Sequence, residues 1–165
     1  MPKPREPFEA RIEGFTHDGR GVIRVGGKVW FVEGALPDER VVVRPVRGTR
    51  SYSLGVAESI LEPSVSRVTP RCAAFGVCGG CALQHLEYPK QLSFKKTNVV
   101  ENLEVAGVTV PEEILELQAR PWAYRRRARL GARMVPEKGG VLVGFRERRK
   151  SFITPLASCP VIHPS

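Results

Sequence analysis

The chain has 165 residues, 42% hydrophobic and 26% charged, which suits one ordinary domain or two small ones and excludes disorder by composition. No apolar run approaches the roughly 20 residues of a membrane span, and "MPKPREPFEA" lacks the apolar stretch of a secretion signal, so a cytoplasmic protein is expected. The net charge of +9 is unevenly placed: residues 120–150 hold eleven of the 26 Lys and Arg but only two of the 17 acids, which points to a polyanionic partner such as nucleic acid.

In chain order, residues 7–61 read as five short strands. "FEARI" alternates Phe8, Ala10 and Ile12, and "GVIRVGGKVWFVEG" gives two strands around Gly26-Gly27, a dipeptide suited to a tight hairpin. "RVVVRPV" and "YSLGVAESIL" follow. Five short strands with regularly spaced turns predict a small barrel of the OB type over residues 1–62, its first two strands separated by the loop "GFTHDGRGV" with His17. Residues 63–70, rich in Pro and Ser, read as a linker. Residues 71–165 then form a second, α+β domain, so the chain is mainly β overall. Leu92, Val99, Val100 and Leu103 predict a helix from Tyr88 to Ala106, with Pro89 in its first turn and Gly107 at its end. From Tyr124 onward the pattern alternates again: Ala128, Leu130 and Ala132 on one side, Arg127, Arg129 and Arg133 on the other. "PEKGG" is the turn and "VLVGF" the return, which predicts a β-hairpin with an arginine-rich face.

Three of the four cysteines, Cys72, Cys78 and Cys81, lie within "RCAAFGVCGGC" as C-x5-C-x2-C, and Cys159 follows 78 residues later in "ASCPVI". Zinc sites more often pair two knuckles or mix in histidine, whereas three clustered cysteines plus one remote one resemble iron–sulfur ligation. Iron–sulfur, structural zinc and free or disulfide thiols all stay open on spacing alone. His85 and His163 lie near cysteines, but four thiols already make a complete ligand set.

"FGVCGGCALQHLEYPKQLSFK", "WAYRRRARLGAR", "VLVGFRERRKSFI" and the closing "CPVI" resemble the bacterial RNA uracil-5-methyltransferases, in particular the iron–sulfur branch acting on 23S ribosomal RNA. The resemblance implies an RNA-binding TRAM domain for the barrel and a [4Fe–4S] cluster held by Cys72, Cys78, Cys81 and Cys159. Members of the family continue into an S-adenosylmethionine-binding domain with a catalytic cysteine. With the cysteines taken up by the cluster and no Gly-rich dinucleotide-type turn in view, the chain is expected to be the N-terminal, RNA-recognising portion, monomeric and catalytically inactive alone. Arg125, Arg126, Arg127, Arg129, Arg146, Arg148 and Arg149 are the candidate phosphate contacts, and Phe75, Trp122, Tyr124 and Phe145 the candidate stacking platforms. Uracil C5 methylation moves no net electrons, so a structural clasp is the expected role for the cluster. A free-standing iron–sulfur carrier or redox sensor and a zinc-bearing RNA-binding module are the alternatives.

Overall fold

A computed structural model describes residues 6–164, apart from the side chain of Lys138. Residues 1–5 and Ser165, the outer ends of the two expected domains, lie outside the described residues. Among the described residues, no helix is long and apolar enough to cross a membrane. The chain divides into two compact units, one of residues up to Val68 with His85–Glu87, the other of Thr69–Gln84 with the chain from Tyr88 onward.

The first unit is built from β1 (Phe8–Arg11), β2 (Gly14–Phe15), β3 (Arg20–Val25), β4 (Lys28–Glu33), β5 (Arg40–Gly48) and β6 (Tyr52–Glu62). They form one sheet in the order β1-β5-β6-β4-β3-β2, antiparallel except for the β4–β6 pair. β1 and β2 are halves of one segment interrupted only by Ile12 and Glu13, so the chain itself links the two edges of the curled sheet. At that kink the Ile12 N–H donates to Glu39 O and the Glu13 N–H to Val22 O, both at 2.9 Å. Period-two alternation then places Ile23, Trp30, Val32, Val41 and Val43 inside, around Ile12 and Ala35. Burying each of the larger side chains contributes about 1.5–3 kcal/mol. The β3–β4 hairpin pairs Val25 with Lys28 across Gly26 and Gly27. Their φ values of 59° and 73° are those of a primed turn, which L-residues with side chains adopt at a cost.

Residues 63–68 are tied to this sheet by one buried carboxylate. Glu39, fully buried, accepts from Arg67 Nε and Nη2 at 2.5 and 2.7 Å, from the Leu36 N–H at 2.8 Å and from the Ser64 N–H at 3.1 Å. The Val68 N–H donates to His85 O and the Glu87 N–H to Ser66 O, which is how His85–Glu87 join the first unit. His85, weighed above as a spare metal ligand, is buried here.

The second unit holds α1 (Tyr88–Val105), β7 (Gly131–Val135), β8 (Gly140–Arg146) and β9 (Ile153–Pro155), the strands forming a sheet in the order β7-β8-β9. At the end of α1 the Val108 N–H reaches back to Leu103 O and the Gly107 N–H to Glu104 O, a Schellman closure at a glycine with φ of 70°. No residue of α1 is buried, and Val99 is 49% exposed, so the helical spacing in the sequence marks a half-covered face.

The expected hairpin forms, but its first strand is shorter than the alternation predicts. β7 starts at Gly131, and residues 126–130 are in no strand. The reason is competition for one edge of the chain that continues β8. On one side the Glu147 N–H donates to Phe152 O; on the other, the cysteine loop bonds to Arg146 and Arg148 in the place where residues 127–129 would pair. Within β7 and β8 the only basic residues are Arg133 and Arg146, while Met134, Val141 and Val143 are exposed. The arginine density sits at the ends of the hairpin and not along its strands.

Candidate metal centre and nucleic-acid interface

The loop carrying three cysteines is a set of tight turns. The Phe75 N–H donates to Cys72 O at 3.0 Å and the Cys78 N–H to Ala74 O at 2.8 Å. The Cys72 N–H donates to Gln84 Oε1 at 3.2 Å, so a buried side chain fixes the start of the loop. Its end is fixed by the hairpin: the Gly79 N–H donates to Arg146 O at 2.8 Å and the Arg148 N–H to Val77 O at 2.9 Å. The Arg148 guanidinium donates to Cys81 O and lies over the Phe75 ring. Gly79 is required by close approach, because a Cβ there would stand 2.8 Å from Arg146 O.

Cys159 arrives on a separate turn, in which the Ile162 N–H donates to Cys159 O. That turn is bonded to residues 123–125: the Ala123 N–H to Pro160 O, the Arg125 N–H to Val161 O, and the His163 N–H to Arg125 O, at 2.9 to 3.0 Å. Loop and turn together place all four cysteines around one pocket, with Phe75, Phe145, Leu156 and Val161 as apolar walls. The space between them is about 10 Å³, room for roughly one water.

None of the four is in a disulfide. Burial pushes the Cys78 thiol up, and the nearby Cys81, Cys72 and Cys159 push it further, while the Gly80 N–H, donating to its Sγ at 3.4 Å, pulls the other way. Among the described residues, no group of three or more His, Cys, Asp or Glu side chains stands close enough together to hold a metal ion. The cysteines stand instead around the pocket wall. In chemical type the four thiols, with no carboxylate among them, are the donors an iron–sulfur cluster takes, one at each iron, while the space between them holds about one water.

The seven arginines separate into two groups. Arg126, Arg127, Arg129, Arg146 and Arg149 are exposed, as phosphate contacts must be. Arg125 and Arg148 are half-buried and belong to the cysteine site, Arg125 in the pocket wall and Arg148 on the Cys81 carbonyl. Of the aromatic candidates, Phe75 and Phe145 line the pocket, and Trp122 packs under the Arg71 guanidinium at 5.1 Å. Tyr124 is 52% exposed, the one of the four that presents a ring to solvent. Sequence reasoning missed Gln84, a neutral residue whose role depends on a backbone it meets only after folding.

Residues 3–57 match the TRAM domain family. Over nearly its whole length the chain is similar to proteins named 23S rRNA (uracil(1939)-C(5))-methyltransferase RlmD. It is 44% identical to that of Alkalilimnicola ehrlichii, over 98% of this chain and 36% of the relative. It is 45% identical to that of Nitrosococcus oceani, over 99% and 37%, and 48% identical to that of Bordetella parapertussis, over 93% and 33%. Among solved structures, the Pyrococcus abyssi tRNA (uracil-54, C5)-methyltransferase in complex with S-adenosyl-L-homocysteine superposes with a TM-score of 0.63 at 26% identity, over 94% of this chain and 33% of that one. The chain spans about a third of the length of the curated relatives it matches. The resemblance read in the sequence, to the N-terminal portion of a bacterial 23S rRNA uracil-5-methyltransferase, holds across it.

Proposed function

We propose that this chain is the RNA-recognising, [4Fe–4S]-binding N-terminal portion of an S-adenosylmethionine-dependent 23S rRNA uracil-C5-methyltransferase, monomeric and cytoplasmic. The observation that carries the reading is the convergence of Cys72, Cys78, Cys81 and Cys159 on one pocket, beside a run of exposed arginines. The similarity to named methyltransferases over 98% of the chain supports it. Bound there, the cluster supplies a clasp that joins the 72–81 loop to the Cys159 turn and adds folding free energy.

The chain's own residues then divide the work of recognition. The TRAM domain and the exposed Arg126, Arg127, Arg129, Arg146 and Arg149 hold the RNA backbone, and affinity falls with salt as counterions are displaced. Tyr124 offers its ring to an unpaired base. The target uridine has to leave its stack to be methylated. Holding the surrounding RNA in register is therefore the task of this portion, while cofactor binding and methyl transfer belong to the part of the relatives' length it does not span. Alone, it binds RNA and transfers no methyl group.

Binding of the purified chain to 23S rRNA fragments across a salt series tests the reading. Five phosphate contacts with a single strand predict a slope of about −3.5 in log affinity against log salt. Absence of salt-dependent RNA binding contradicts it.

A further inference from the structure

We propose that the turn between β5 and β6, with Arg47, Arg50 and Tyr52, is a binding site for single-stranded RNA, an inference that rests on the RNA-recognising reading above. Residues 6–68 carry nine basic and nine acidic side chains, so by count this unit has no charge to offer a polyanion. The structure segregates those charges. Of the eight arginines in that stretch, Arg11, Arg20, Arg24, Arg40, Arg44 and Arg67 each have a carboxylate oxygen within 3.5 Å. Among the described residues the two without one are Arg47 and Arg50, both exposed and both at this turn. No Asp or Glu lies between Arg40 and Ala57, nor between Arg24 and Val32 on the strands that adjoin the turn.

The turn is ordered in advance. The Thr49 N–H donates to Tyr52 O at 2.8 Å, and the Tyr52 N–H donates back to Thr49 Oγ1 at 3.1 Å. The Lys28 ammonium donates to Thr49 O, which brings a third cation to the same end of the sheet. A ligand held here therefore pays little to order the loop. An aromatic surface stands beside the cations. Trp30 and Val32 fill the core, so the alternation of β4 turns Phe31 outward, and the register sets Phe31 level with Leu54 and Leu54 level with Arg47. Tyr52 is the next outward residue along β6, with its ring edge-to-face on Phe31 at 5.6 Å and 38% exposed. Cations alone would suit any polyanion. An exposed ring among them selects unpaired nucleic acid, because every base has a face to stack and every phosphate a charge to neutralise.

The test measures binding of the full chain to 23S rRNA fragments and to a single-stranded oligouridine from low to high salt, with folding of each variant checked first by thermal unfolding. Arg47→Gln with Arg50→Gln should flatten the salt slope by about 1.4, at roughly 0.7 per lost contact with a single strand. These two contacts add to the five counted above, so the parent slope steepens to about −5. Arg11→Gln with Arg40→Gln removes the same charge from the paired arginines and should leave the slope unmoved. Tyr52→Ala should weaken oligouridine binding about tenfold at every salt concentration, and Tyr52→Phe should keep full affinity. If Tyr52→Ala does not fold, Tyr52→Leu, which keeps an apolar contact for Phe31 but has no ring, is read in its place. An unmoved slope in the Arg47 and Arg50 variant overturns the proposal, and so does an equal fall in both double variants, which is a diffuse effect of net charge. Undiminished affinity in the variant lacking the ring overturns it too. A parent chain that binds no RNA fails the reading beneath; a parent that binds, with unmoved variants, fails this site alone.

Discussion

The backbone N–H of Gly79 donates to the carbonyl of Arg146 at 2.8 Å, joining the cysteine loop to the end of the basic hairpin across 67 residues of sequence. The cysteine loop and the candidate phosphate contacts thus meet on one stretch of backbone. Gly79→Ala should break that junction, since its Cβ would press on Arg146 O at 2.8 Å. Overpacking of this kind costs about 1–3 kcal/mol. Thermal unfolding and iron content of the variant measure the effect, and an unchanged midpoint with full iron would show the junction is dispensable.

Loss of Cys159 should act on the second unit and leave the first intact. Cys159→Ser should abolish iron binding and loosen the chain after residue 70, with the strands between Phe8 and Glu62 still protected, because their core of Ile12, Ile23, Trp30, Val32, Val41 and Val43 contains no cysteine. Hydrogen exchange followed segment by segment reads both halves of this expectation. Equal loss of protection in β3 and β8 would contradict it.

RNA affinity should follow exposure among the arginines. Substituting Arg126, Arg127 and Arg129 together with Ala should flatten the salt slope by about 2, at roughly 0.7 per lost contact with a single strand. Binding measured from low to high salt gives the slope directly, and parallel lines for variant and parent would place the RNA elsewhere.

The first unit should be acid-sensitive through Glu39. Burial opposes its ionisation, but the Arg67 guanidinium and the N–H groups of Leu36 and Ser64 outweigh burial and hold the carboxyl below the usual range. A lowered folded-state value means the contribution is fully present above the ordinary glutamate value of about 4.3 and is lost as pH falls through the lowered one. Arg67→Ala should cost about 3 kcal/mol at neutral pH, because it leaves a carboxylate buried without its partner. Urea unfolding followed at neutral and acid pH reports both effects. Stability independent of Arg67 at neutral pH would mean the pair is not coupled to folding.

Local chemistry made much of this legible in the sequence. Gly26-Gly27 marked the hairpin, Gly107 the end of the helix, and C-x5-C-x2-C the candidate ligands. What escaped depends on contacts between distant residues. The alternation of Arg127, Arg129 and Leu130 has the period of a strand, yet the neighbouring edge is taken by Val77 and Gly79, about 50 residues upstream. Arg67 looked like a linker residue because its partner, Glu39, lies 28 positions earlier in an unremarkable turn. Arg125 and Arg126 are alike in sequence, and only the Cys159 turn distinguishes them, by fixing one of them to the pocket wall.

The central claim, that the four cysteines hold one iron–sulfur cluster, is tested most directly by metal and sulfide analysis of the anaerobically purified chain. The account predicts a brown protein with about four iron and four acid-labile sulfide per chain, both lost in Cys159→Ser. A colourless protein with one tightly bound zinc, or iron content unaffected by Cys159→Ser, would contradict it.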